Sequence, residues 1–225
     1  MTIRPGLLAS IQAILPTAIS PNLNTGSQGD DLYEAYIWSV IVSAAKNKGA
    51  TIEFKDVSGN PVTTDFIFRT SPGEIWWQSQ RYCHAEIQFP NCPILEAHVG
   101  IYVAGRSKVR HECDVAVLLK NEADVCRARQ VLPRASKVIL SVEAKYYVNS
   151  TPGLSLGRAF LGLCDEIQRN NRFFIATSHS GSVAKLLAKH TRDFELQFSP
   201  VNPHNVEVIR SAFEKVFDSF IAQYT

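Results

Sequence analysis

The sequence has no apolar run approaching the roughly 20 residues a helix needs to cross a bilayer, so no membrane-spanning segment is expected. Its first 20 residues carry one arginine and a modest apolar stretch broken by Pro16, with no convincing cleavage site, which argues against a secretory leader. There is no Cys-x-x-Cys pair. The five cysteines, at 83, 92, 113, 126 and 164, are odd in number and scattered. That pattern fits reduced thiols in a cytoplasmic protein better than a disulfide framework. Internal repeats and low-complexity tracts are lacking as well. Net charge is only +2, so charge alone does not announce a nucleic-acid binder. What is there, 225 residues with 45% hydrophobic and 20% charged, is an ordinary globular composition. One domain with a substantial core is expected over 1–225, made of an extension (1–29), a core (30–190) and a terminal strand and helix (191–225).

The charge is unevenly placed. Residues 1–100 carry 6 Lys/Arg against 9 Asp/Glu, residues 101–145 carry 9 against 5, and residues 146–225 carry 8 against 7. Polyanion binding follows local positive charge even on a near-neutral protein. Arg106, Lys108 and Arg110 are therefore candidate phosphate contacts, with a solvated arginine-rich loop as the other reading.

Periodicity and turn chemistry predict helices over 6–15, 30–48, 121–131, 155–169, 181–190 and 205–224. Strand-like runs fall at 51–55, 65–69, 74–89, 97–103, 111–119, 138–147, 172–177 and 194–198. Asp30 or Asp31 is the expected N-cap of the second helix, and Gly49 its stop. Strands interleaved with helices around a central meander predict an α/β (α+β) fold, a central mixed sheet flanked by helices.

Two of these strands carry charge where little is expected. Asp114 lies in His111-Glu112-Cys113-Asp114-Val115-Ala116-Val117-Leu118-Leu119, and Glu143 and Lys145 end the run Val138-Ile139-Leu140-Ser141-Val142-Glu143-Ala144-Lys145. Buried charges are costly unless paired or bound to a metal. Side chains alternate along a strand, so Glu143 and Lys145 face the same side. If the strands are neighbours, Asp114 joins them. Two carboxylates beside an ammonium make a divalent-metal site with a fixed cation next to it.

Asp followed by Glu-x-Lys on adjacent strands resembles the PD-(D/E)xK nuclease superfamily, whose fold is restriction-endonuclease-like. The resemblance spans roughly 30–190, with Cys113 where the family name places proline and a long connection between Asp114 and Glu143 that must hold an extra element. It implies extra strands before the motif, a Mg²⁺ (or Mn²⁺) ion held by Asp114, Glu143 and the Ala144 carbonyl, and Lys145 acting on the attacking water or the phosphate. Glu34 resembles the carboxylate that many members carry on the first helix, and would assist as ligand or water holder. The alternative for Glu34 is a capping box with Asp31. The implied activity is metal-dependent endonucleolytic hydrolysis of phosphodiester bonds, with DNA the expected substrate.

Other candidates flank the motif. Arg158 sits off the apolar stripe Leu156, Phe160, Leu163, Ile167 and is read as a phosphate contact or a solvated arginine; Gln168 and Arg169 are weaker candidates. Gly157 and Gly162 allow close approach of another backbone or of substrate. The turn Thr177-Ser178-His179-Ser180-Gly181 offers hydroxyls, Ser178 among them, and helix N–H groups to a phosphate, or is an ordinary N-cap. Cys83, His84, Cys92 and His98 have the spacing of no common zinc site and read as core residues. Cys113 with His111 is a weak pair for thiol catalysis. Of Trp76 and Trp77, one is expected in the core and the other on a base, a partner or an interface.

The sequence shows no separate recognition segment, so specificity is expected from a partner protein, from a homodimer or from DNA structure. Two rivals stand beside the nuclease reading. One is a non-catalytic nucleic-acid-binding or assembly protein that keeps the fold; the other is an unrelated hydrolase in which the match is accidental.

Overall fold

The two charged strands belong to one seven-stranded sheet. The structure, a computed structural model, describes residues 3–167 and 170–224. In chain order the elements are α1 (Ile3–Gln12), α2 (Gly29–Asn47), β1 (Thr51–Asp56), β2 (Cys83–Gln88), β3 (Leu95–Ala104), β4 (Arg110–Leu119), α3 (Lys120–Arg129), β5 (Val138–Lys145), α4 (Leu154–Glu166), β6 (Arg172–Ala176), α5 (Gly181–Lys189), β7 (Asp193–Leu196) and α6 (Pro203–Ile221). The strands lie in sequence order, β1 to β7. Pairing is antiparallel from β1 to β5 and parallel from β5 to β7. Helices α4 and α5 supply the two crossovers that parallel neighbours require.

Alternation decides what each face buries. Val115 and Val117 of β4, Leu140, Val142 and Ala144 of β5, and Phe173 and Ile175 of β6 share one core with α1, α2 and α6. On the opposite face, Ala116 and Leu118 pack with α3, and Phe174 and Ala176 pack with α4 and α5. Both faces being covered, the central strands read as continuous apolar runs rather than alternating ones. Helix α2 lies in the middle of its layer and is buried almost all round. Its Trp38 Nε1–H donates to the Ala97 carbonyl at 3.0 Å, and the Tyr33 hydroxyl donates to the Phe198 carbonyl at 2.9 Å.

Three expectations need correction. The run 65–69 forms no strand; Phe66 makes a single bridge to Ile19, and the ladder near it is confined to β2. Pro61, Pro72 and the Gly73 turn interrupt the backbone, and Phe66 and Phe68 instead pack on Trp38 with ring centroids 5.1 and 5.2 Å away. Residues 74–82 are likewise turns, so Trp76 and Trp77 are not alternating strand residues; Trp76 packs on the α3-side core and Trp77 is exposed. Helix α2 starts at Gly29, with Gln28 at the N-cap and no side-chain capping bond. Asp30 and Asp31 thus sit in the first turn, where the helix dipole favours acids, and the capping box with Glu34 does not form. Gly49 does follow α2 with φ +85°, as a stop should. The long connection between the motif strands holds α3, tied down by Glu122, whose carboxylate accepts from Arg134 N–H at 3.0 Å and Nε–H at 2.8 Å.

Candidate active site

Val115 pairs with Val142, which brings Asp114 and Glu143 to the same end of the β4–β5 ladder. There the Asp114 carboxylate accepts the Ala144 N–H through Oδ2 at 2.7 Å. Lys145 Nζ lies 2.8 Å from Glu143 Oε1 and 3.4 Å from Asp114 Oδ2, so one ammonium joins both carboxylates. The expected convergence of Asp114, Glu143 and Lys145 is therefore present. Glu34 reaches the same place from α2: a cleft of about 380 Å³ is lined by Asp30, Glu34, Glu112, Asp114, Glu143, Ala144, Lys145, Tyr146 and Tyr147. Tyr147 is fixed by Thr177, whose Oγ1 accepts the Tyr147 N–H at 2.7 Å.

Burial dominates the electrostatics, and the crowding of acids adds to it. Burial pushes the Asp114 carboxyl up to about 7, and Glu143 pushes the same way against Lys145 and the Ala144 N–H. Glu34 is held well above the carboxylate range, by burial first and then by Asp114, Glu112 and Asp31. Glu112 is raised by burial and by Glu143. Burial works against the charge on Lys145, but Asp114 and Glu143 outweigh it and hold its pKa above the ordinary lysine value. Five carboxylates facing one ammonium, all hard oxygen donors apart from that ammonium, fit a Mg²⁺- or Mn²⁺-type cation. The set is open, not a closed cage. Among the described residues, the His/Cys/Asp/Glu group whose ligand atoms lie within 4.8 Å of one another is elsewhere, at His84, Glu86 and Glu96.

A second cleft of about 520 Å³ continues on the α4 side, lined by His111, Glu112, Glu143, Ala159, Phe160, Gly162, Leu163 and Glu166. Glu112 and Glu143 belong to both clefts. Exposed Arg158 lies one turn before Gly162, on the helix face that borders this groove. The two glycines have different uses: a Cβ on Gly157 would come within 3.0 Å of Leu186 of α5, whereas Gly162 faces open space. The β3–β4 turn is tied to the end of α4, where the Glu166 carbonyl accepts the Arg106 N–H at 2.9 Å and its carboxylate accepts the Ser107 hydroxyl at 2.7 Å. Exposed Arg106 and Lys108 thereby stand beside the groove.

Other basic residues are paired with buried acids, although Arg110 is itself exposed. Arg110 pairs with Glu74 at 3.3 Å and lies over the Tyr102 ring, and Arg127 and Lys120 reach the buried Glu96. The positive excess of the motif segment thus largely neutralises buried acids. Ser178 is half-buried and two residues ahead of the N-cap of α5, which is Ser180; Ser180 donates to the Pro152 carbonyl at 2.8 Å. Gln168 and Arg169 lie outside the described residues.

Thiol chemistry is disfavoured: Cys113 is buried, and burial pushes its thiol up to about 12. Cys83 and Cys92 pack into the α2-side core, while His84 and His98 point to the other face, so these four do not converge. Sequence reasoning missed Glu112, Asp30, Tyr146 and Tyr147 as cleft residues. For Glu112 a signal existed, because it lies two positions from Asp114 on the same strand.

No family model, curated protein or solved structure matches the chain. Among the described residues, no helix is long and apolar enough to cross a membrane.

Proposed function

We propose that this chain is a divalent-metal-dependent nuclease that hydrolyses phosphodiester bonds, with DNA as the expected substrate. The observation that supports this reading best is the ammonium of Lys145 held between Glu143 and Asp114 in a cleft that three further acids, Asp30, Glu34 and Glu112, also line. Mg²⁺ or Mn²⁺, held by Asp114, Glu143 and the Ala144 carbonyl with Glu34 assisting, would neutralise phosphate charge and acidify a water.

The chain's own groups do the rest. The Ala144 N–H fixes the Asp114 carboxylate in place. Burial and Glu143 push the Asp114 carboxyl up to about 7, so a cation held there would have to displace its proton. Lys145 cannot be a ligand while charged; its role is to orient the attacking water or to stabilise charge developing on the phosphate. Arg158, Arg106 and Lys108 flank the α4-side groove, where a phosphate backbone would meet positive charge before it met the acids.

The test is incubation of plasmid, oligonucleotide DNA and RNA with Mg²⁺, with Mn²⁺ and with EDTA. Metal-dependent cleavage that EDTA stops supports the proposal, and preference between DNA and RNA assigns the substrate. Binding without hydrolysis in either metal would instead favour the non-catalytic nucleic-acid-binding reading.

A further inference from the structure

Strands β2 and β3 carry a second polar cluster that the proposed nuclease site does not use. Glu86 lies directly opposite Glu96, and Ala85 opposite Ala97. By strand alternation His84 and His98 share the face of the two glutamates, away from the α2-side core. Their rings stack, with centroids 4.8 Å apart and planes at 20°. Ligand atoms of His84, Glu86 and Glu96 all lie within 4.8 Å of one another.

His84 is 1% exposed, yet neither of its ring nitrogens has a hydrogen-bond partner. Buried polar groups are nearly always satisfied, so an imidazole left this way needs an explanation. Its Nε2 is aimed at Glu96 Oε1, 3.7 Å away. Both Glu96 oxygens are already held: Oε2 by His98 Nε2 at 2.9 Å and Arg127 Nη2 at 2.5 Å, and Oε1 by Arg127 Nη1 at 2.9 Å. That is how an outer shell orients a ligand carboxylate. The cluster is closed on the solvent side by Lys120. Its Nζ lies 3.4 Å from Glu86 and 3.7 Å from Glu96, but also 3.0 Å from Asp124 at the surface. Lys120 therefore has an outside partner to turn to if the glutamates find another cation.

We infer that His84, Glu86 and Glu96 form a binding site for a borderline transition cation such as Zn²⁺, with Lys120 as a tethered ammonium that occupies the position until the ion displaces it. Imidazole nitrogen beside carboxylate oxygen selects such an ion over Mg²⁺. Arg127 and His98 stay in place and hold Glu96. The inference rests on a cluster separate from the Asp114 site and is independent of the nuclease reading.

The experiment is Co²⁺ titration of the full chain carrying Asp114→Asn and Glu143→Gln, so that the acidic cleft does not contribute. It is followed by visible ligand-field absorption, with Zn²⁺ as competitor. One Co²⁺ per chain with nitrogen-ligand bands, displaced by Zn²⁺, is expected. His84→Asn should weaken binding by at least roughly the 100-fold that loss of an outer-shell partner costs. Lys120→Met, at a half-exposed position, should tighten it. If His84→Asn fails to fold by circular dichroism, Glu86→Gln takes its place. Absence of binding in both the parent and the Lys120→Met variant would overturn the inference, as would binding insensitive to His84 and Glu86 substitutions.

Discussion

The Asp114 carboxylate accepts the main-chain N–H of Ala144, 30 positions later, at 2.7 Å. The bond clamps the Asp114 end of β4 to the Glu-x-Lys segment of β5. The same oxygen, Oδ2, is the one 3.4 Å from Lys145 Nζ. Asp114 is thereby both a structural clamp and part of a crowded acidic cluster.

Lys145→Ala should reduce DNA cleavage by about 10²–10³-fold, the usual loss when a transition-state charge partner is removed. Metal affinity should be kept or tightened, because the substitution frees Asp114 and Glu143 from a competing cation. Nicking assays with Mg²⁺ and calorimetric metal titration check the two halves. Wild-type cleavage by the variant would remove Lys145 from the mechanism.

Asp114 holds its proton up to about pH 7 in the folded protein, against an ordinary value of 3.8. Between these values the folded state binds more protons than the unfolded chain, so unfolding free energy falls as pH rises through that window. The Asp114 contribution alone should fall by on the order of 2–4 kcal/mol between pH 4 and pH 7, against an opposing rise from His84 and His98, which burial holds neutral. Asp114→Asn should flatten part of this slope; Glu34 and Glu112, whose carboxyls burial also raises, carry contributions of the same sign. Urea denaturation at several pH values measures it. A pH slope unchanged by Asp114→Asn would contradict the assignment.

Arg158→Ala should weaken nucleic-acid binding and lower the slope of log affinity against log salt by roughly one. Glu143→Gln should do the opposite, abolishing cleavage while binding is kept or strengthened by loss of a repelling charge. Filter binding across a salt series reads both. An unchanged slope for Arg158→Ala would return that side chain to solvent and leave phosphate contact to Arg106 and Lys108.

Arg127→Met should destabilise the fold by about 3–5 kcal/mol, because it leaves the fully buried Glu96 without its closest charge partner. Removing Glu96 and Arg127 together as Gln and Met should cost less than Arg127→Met alone. Urea unfolding of Arg127→Met, Glu96→Gln and the double variant tests this, and a double loss equal to the sum of the two single losses would mean that the pair is not coupled.

Strand periodicity alone placed Glu143 and Lys145 on one face, because side-chain direction along β5 is a local property of the backbone. Gly49 as the stop of α2, the apolar stripe of α4 and the mixed sheet with flanking helices were legible for the same reason. Only the tertiary structure decided whether Glu34 capped its own helix or faced Asp114. That depended on where α2 begins and how it crosses the sheet. Layer packing also paired Arg127, Lys120 and the still exposed Arg134 with buried or half-buried acids 12 to 34 positions away, so positive charge counted along the chain overstated what the surface offers. The square of His84, Glu86, Glu96 and His98 was hidden for a related reason. Each half is an unremarkable alternating strand, and the halves meet only through the β2–β3 register, which turn geometry and the two-sided core select together.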